Sequence, residues 1–252
     1  MGKVVSVCNQ KGGVGKTTTV INLASSISML DKKVLVVDMD SQANTTSGFG
    51  VDKKKIEVSV YEVLLGKVSV EKVILKVREK IDLVPSNTNL IGAEVELIGE
   101  ENREKRLKYA LDRIKDNYGV ILIDTPPSLG LLTINSLVVS DSVLIPLQCE
   151  YYALEGVGQL LYTLKLVKKN LNPSLEIEGV LLTMFDSRLN LSKEVAEEVK
   201  KFFGNKVYNT VIPRNVKLSE APSFGKTIHE YCSWCKGAIS YFEFGKEFLS
   251  KI

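Results

Sequence analysis

The chain alternates short, unbroken apolar runs with longer stretches whose apolar residues recur at helical spacing. Runs at 4–7, 34–37, 81–85, 120–123, 142–147, 177–184 and 207–212 predict strands, and unbroken apolar character suits strands covered on both faces. Helical spacing predicts helices over about 17–30, 60–65, 90–117, 153–171, 192–203 and 236–252. Strand–helix alternation of this kind means an α/β fold, a doubly wound, mostly parallel sheet flanked by helices. No linker, repeat or low-complexity tract interrupts it, so a single domain over 1–252 is expected. Residues 51–80 are rich in Lys and Val with weak periodicity, and the charged run at 100–106 suits a solvated helix face.

The first strand leads into a loop with Gly12, Gly13 and Gly15, then Lys16 and three threonines that open a helix. Strand, Gly-rich loop and helix together make a phosphate cradle. The glycines permit φ > 0 and let backbone N–H groups approach an anion, while the helix adds free N–H groups and the positive end of its dipole. Lys16 can reach the β- and γ-phosphates, and the Thr17 hydroxyl can ligate Mg²⁺. Gln10 stands where the strict phosphate-loop pattern has glycine, and a second lysine, Lys11, precedes the glycine pair.

Two further strands end in acids. Asp38 and Asp40 follow the run at 34–37, and Asp124 follows 120–123. Ligands of open parallel sheets sit outside the carboxyl ends of the strands, so these carboxylates point at the nucleotide. Asp124 can hold Mg²⁺ through water.

The text Lys11-Gly12-Gly13-Val14-Gly15-Lys16-Thr17-Thr18 resembles the deviant Walker A box of the ParA/MinD branch of P-loop ATPases. Asn9-Gln10 before it, Asp124-Thr125-Pro126-Pro127-Ser128, and the stretch from Val211 to Ser223 narrow the resemblance to short Soj-like ParA proteins. It implies a Rossmann-like ATPase using ATP and Mg²⁺, with residues Gln10 to Thr18 around the phosphates. It implies a homodimer with ATP between two copies, Lys11 reaching the partner's phosphates. Asp40 would orient or deprotonate the attacking water, Asp38 would assist the metal's water shell, and Pro213 and Asn215 would meet the adenine. Arg188 and Lys217 would bind double-stranded DNA without sequence preference, and a ParB-type centromere-binding protein would stimulate hydrolysis. Lys217 stands where arginine is common, which keeps charge but loses bidentate geometry. The implied setting is a bacterial cytoplasm, on the nucleoid.

Composition trims these readings. A net charge of +3 does not by itself argue for nucleic acid, and no apolar run is long enough to span a bilayer. Cys232 and Cys235 have redox or metal spacing, but no second pair accompanies them and zinc needs about four ligands, so a structural or incidental role is expected. The final helix is apolar over more than one stripe, which favours packing on the body over an interfacial anchor. A MinD-like membrane-associated positioning ATPase is the alternative. An amide- or ring-forming ligase on the same loop is a third reading, for which the sequence presents no second substrate site.

Overall fold

The computed structural model describes residues 2–150, 153 and 155–252. β1 (Lys3–Val7) runs into α1 (Lys16–Met29) and β2 (Val34–Asp38). Short elements follow: α2 (Asn44–Gly48), α3 (Val60–Leu64), β3 (Leu75–Arg78), β4 (Ile81–Val84), α4 (Leu90–Glu96) and α5 (Arg106–Leu111). Then come β5 (Val120–Asp124), α6 (Leu131–Val139), β6 (Ser142–Gln148), α7 (Glu155–Asn170) and β7 (Glu176–Thr183). The chain closes with α8 (Asn190–Phe203), α9 (Val216–Glu220), α10 (Ile228–Tyr231) and α11 (Lys236–Leu249).

Among the described residues the strands form one sheet in the order β3-β4-β2-β5-β1-β6-β7. Of these, only β3 runs antiparallel to its neighbour. Parallel strands need crossover connections: α1 carries the chain from β1 past β5 to β2, α6 from β5 past β1 to β6, and α7 between the neighbours β6 and β7. The unbroken apolar runs follow from this layering. Val34 and Val36 join the cluster under α1 and α11, while Leu35 and Val37 join the cluster on the opposite face. A third cluster lies among β6, β7, α7 and α8. Register brings the chemistry together, since Asp124 pairs with Val7 on one side and with Asp38 on the other.

The closing helix packs on the body. Tyr241, Phe244 and Phe248 are buried, and Ser26 Oγ of α1 donates to the Tyr241 carbonyl at 2.9 Å. Gly245 passes so close to α1 that a Cβ there would stand 2.6 Å from Ser26 Cβ. Each buried aromatic contributes on the order of 1.5–3 kcal/mol. Among the described residues no helix is long and apolar enough to cross a membrane.

Several elements differ from the sequence expectation. The helix expected over 90–117 is broken, because Gly99 (φ 86°) and Asn102 (φ 55°) take left-handed conformations that no helix continues through. The segment 207–212 is no strand. It makes isolated contacts along β7, with Tyr208 N–H donating to the Val180 carbonyl at 3.0 Å and Ile212 N–H to Leu182 at 2.8 Å. The helix expected over 153–171 runs over Glu155–Asn170, and its residue 154 lies outside the described residues. β3 and α6 had no expectation of their own. β3 is only four residues long and half-exposed, too short for a clear period.

Candidate nucleotide and magnesium site

The loop between β1 and α1 sits at the carboxyl end of the sheet's interior strands. Gly13 (φ 76°) and Gly15 (φ 92°) take the left-handed region, whereas Gly12 does not. A Cβ on Gly12 or Gly13 would meet no atom of the described residues within 4 Å, so the cradle opens outward. Asn9 pins the loop's entry, donating from Nδ2 to the Pro146 carbonyl at 2.8 Å and accepting from Lys11 N–H at 3.0 Å. Thr183 Oγ1 pins its crest through the Val14 carbonyl at 2.8 Å. Gln10 is half-buried and Thr18 borders the adjoining cleft.

Both loop lysines are held by the protein itself. Lys16 is 7% exposed, and its Nζ donates to the Lys11 carbonyl at 3.1 Å. Burial pulls its pKa down against the opposing pull of Asp124. The Lys11 side chain is exposed and pairs with Glu150 at 3.1 Å.

Three carboxylates face the loop. Asp124 is fully buried, and its Oδ2 accepts from the hydroxyls of Thr17 and Thr45, both at 2.7 Å. Its Oδ1 is buried without a partner among the described residues. Asp38, also fully buried, accepts from Thr46 N–H at 2.8 Å, Thr46 Oγ1 at 2.7 Å and Asp40 N–H at 3.1 Å. Asp40 lies at the surface of this cluster, 8% exposed, and accepts from Gln42 N–H at 2.9 Å. Burial, and next the charge of Asp124, push the Asp38 carboxyl well above the ordinary carboxylate range. Burial raises Asp124 as well, against the pull of the Thr45 and Thr17 hydroxyls.

The donor set fits magnesium. A buried carboxylate oxygen without a partner is costly, and hard oxygen ligands beside a phosphate cradle suit Mg²⁺. Thr17 and Asp124 would hold the ion. Asp38, expected at the metal's water shell, accepts hydrogen bonds on both oxygens, and these fold the 40–46 turn. That turn places Ala43, a non-glycine residue, at φ 51°, a conformation costing about 1–3 kcal/mol and typical of constrained sites.

Beside the loop a cleft of about 310 Å³ is lined by Gly15, Thr18, Met184, Pro213, Asn215 and Leu218. Pro213 and Asn215 thus border it as expected. The Asn215 side chain also caps α9 by accepting from Lys217 N–H at 2.9 Å. Neither Arg188 nor Lys217 lines the cleft; they sit on two neighbouring segments joined where Phe185 bridges Pro213 and accepts from Arg214 N–H at 3.1 Å. Both cations are paired locally, Arg188 with Asp186 at 2.7 Å and Lys217 with Glu220 at 2.9 Å. Arg188 holds the Asp186 carboxyl down to about 2.

Sequence reasoning missed Thr45, Thr46, Thr183 and Glu150. The paired threonines just after the acidic box carried a usable signal, since buried carboxylates need hydroxyl or amide donors.

A family model described as an AAA domain matches residues 2–177. The sporulation initiation inhibitor protein Soj of Bacillus subtilis is 55% identical over 248 residues, covering 98% of each chain. The chromosome partitioning protein ParA of Myxococcus xanthus is 50% identical over all of this chain and 89% of its own. The solved structure of cobyrinic acid a,c-diamide synthase from Mycobacterium smegmatis with bound ATP analog and magnesium superposes with a TM-score of 0.88. It is 39% identical and covers 99% of this chain and 95% of that one. With half or more of its residues matching these partitioning proteins along nearly its whole length, and with a phosphate cradle set beside acid-ended strands, the chain belongs to the Soj/ParA family of partitioning ATPases.

Proposed function

We propose that this chain is an ATP-driven switch in chromosome or plasmid partition. The observation that carries the reading is the partnerless Oδ1 of buried Asp124, whose other oxygen lies 2.7 Å from the Thr17 hydroxyl of the phosphate loop. Bound magnesium would supply charge neutralisation on the β- and γ-phosphate oxygens. Lys16 leaves the Lys11 carbonyl to hold the phosphates, and the loop amides bind the remaining oxygens. Asp40, the most solvent-facing carboxylate of the cluster, orients or deprotonates the attacking water.

ATP sits between two copies. Support comes from Lys11, whose exposed ammonium is held by an ion pair with Glu150 that is itself half-exposed. Such pairs contribute about 0–1 kcal/mol and exchange easily, so Lys11 can swing to a partner's phosphates. The dimer binds double-stranded DNA through Arg188 and Lys217, contacting phosphates without reading bases. Hydrolysis releases it, and a ParB-type centromere-binding protein accelerates that step. One domain over 1–252 carries all of this, on the nucleoid.

Sedimentation with ATP, ADP or no nucleotide tests the switch. Wild-type chain is expected to sediment as a dimer with ATP and Mg²⁺ alone, and Lys11→Ala as a monomer throughout. A wild-type monomer in every state contradicts it. The amide-synthase name of the Mycobacterium smegmatis structure motivates the competing reading, under which turnover would require an added acid substrate.

A further inference from the structure

Cys232 and Cys235 stand apart from the nucleotide machinery, at the junction of two helices. Cys232 ends α10 and Cys235 caps α11. Between them the chain turns, with Cys235 N–H donating to the Cys232 carbonyl at 3.2 Å. A four-residue turn closed by this bond brings its end Cα atoms within about 7 Å, which reaches the span of a disulfide. The side chains converge on one apolar cluster, Cys232 inside it and Cys235 at its edge, half-exposed. Burial and the adjacent Cys235 thiol raise the Cys232 thiol. The remaining cysteines, Cys8 and Cys149, are buried, and burial pushes both up to about 11, which leaves them inert.

We propose that Cys232 and Cys235 form a reversible dithiol–disulfide site whose oxidant is a low-molecular-weight disulfide. The half-exposed Cys235 thiolate attacks one sulfur of that disulfide, breaking its S–S bond and releasing one small thiol. The Cys232 thiolate then attacks the Cys235 sulfur, forming the internal disulfide and releasing the second small thiol. Two protein thiols are oxidised, one small disulfide is reduced, and the thiol protons pass to the two small thiols.

The site reaches the nucleotide cleft through two contacts with α9. Gly237, two residues after Cys235, lies so close to α9 that a Cβ there would stand 2.8 Å from Leu218 Cγ, and Leu218 lines the cleft. Tyr231, the residue before Cys232, donates from its hydroxyl to Glu220 at 2.9 Å, and Glu220 holds Lys217 at 2.9 Å. Closing the 232–235 ring therefore resets both supports of α9. This coupling rests on the nucleotide assignment of the cleft, whereas the disulfide itself does not.

The only tryptophan, Trp234, lies between the two cysteines and is 79% exposed, a built-in reporter. The full chain is equilibrated with reduced and oxidised glutathione, its thiols are trapped by alkylation, and its mass is measured. Oxidation is expected to remove two alkylatable thiols and two hydrogens without leaving a glutathione adduct, to shift Trp234 emission, and to reverse with dithiothreitol. Cys232→Ser is expected to retain glutathione on Cys235, and Cys235→Ser to form no internal disulfide. Four thiols still alkylated in oxidised wild-type chain, or a stable glutathione adduct on it, overturns the site. Titration with a fluorescent ATP analogue then tests the coupling: a midpoint that differs between oxidised and reduced wild type, and not in Cys235→Ser, supports it. Identical midpoints overturn the coupling and leave the thiol result standing.

Discussion

At the carboxyl ends of β1, β2 and β5, charge is buried and bonded across the chain. Thr17 meets Asp124 over a sequence separation of 107, and Thr45 meets it over 79. At the edge formed by residues 185–220, the cations are exposed and bonded to their own neighbours, Arg188 to Asp186 and Lys217 to Glu220. Burying a charge costs several kcal/mol and is tolerated only where geometry satisfies it. An exposed pair contributes about 0–1 kcal/mol and is screened by salt. The first arrangement suits a site that must hold a cation and phosphates in fixed geometry. The second suits contacts made and broken with a polyanion, because the pairs with Asp186 and Glu220 are weak enough for a phosphate to displace.

Breaking the buried end should have the largest effect. Lys16→Ala is expected to lower ATP turnover at least about a hundredfold, the usual loss for one preorganised charge donor, measured by phosphate release. Asp40→Ala should reduce turnover by about 10²–10⁴ yet leave ATP-dependent dimerisation intact. Loss of dimerisation in that variant would place Asp40 among the structural carboxylates.

The pH dependence separates the two regions without mutation. Asp38 and Asp124 have folded pKa values raised above their unfolded ones, so the folded chain binds more protons. Their contribution is fully present below the ordinary carboxylate pKa of about 4 and is lost as pH rises through about 6 to about 7. Thermal unfolding without nucleotide and Mg²⁺ should therefore show Tm falling over that window, and Mg²⁺ with ATP should restore more stability at pH 8 than at pH 5. Asp186, held down by Arg188, has the opposite sign, but its partner Arg188 is solvent-exposed and the pair contributes little.

The smallest effects belong to the exposed edge. Arg188→Glu should weaken DNA binding and flatten its salt dependence, by about 0.9 in log–log slope for each DNA phosphate the variant no longer neutralises. Asp186→Ala should strengthen binding slightly, since phosphate no longer competes with a carboxylate. A weaker Asp186→Ala complex would mean that Asp186 positions the arginine.

This contrast also explains what the residues foretold. Gly13, Gly15, Lys16, Thr17 and Asp124 were legible because phosphate and magnesium chemistry dictates residue type and spacing in one contiguous loop and at strand ends. The parallel sheet was legible because strands covered on both faces must be apolar throughout. Thr45 and Thr46 left only the weak signal of hydroxyls just after an acidic box, and Glu150 left none, since its role arises from a contact that only the folded chain creates. Asp38 was legible as a strand-end acid beside the phosphate loop, whereas the three hydrogen bonds by which it folds the following turn exist only in the folded chain. Arg188 and Lys217 came from family resemblance alone, because an exposed cation has no periodicity or spacing that sets it apart from a solvating one. The break within 90–117 was hidden because the charged spacing there is helical, whereas two left-handed residues decide the path.

Binding to a non-specific DNA duplex with ATP, ADP or no nucleotide, across a salt series, tests the central claim most directly. Binding is expected only with ATP and Mg²⁺, with a log–log slope near about −3.6 for about four phosphate contacts per dimer. Binding that is equal in all nucleotide states, or DNA ignored while anionic liposomes are bound with ATP, would contradict an ATP-switched DNA-binding dimer.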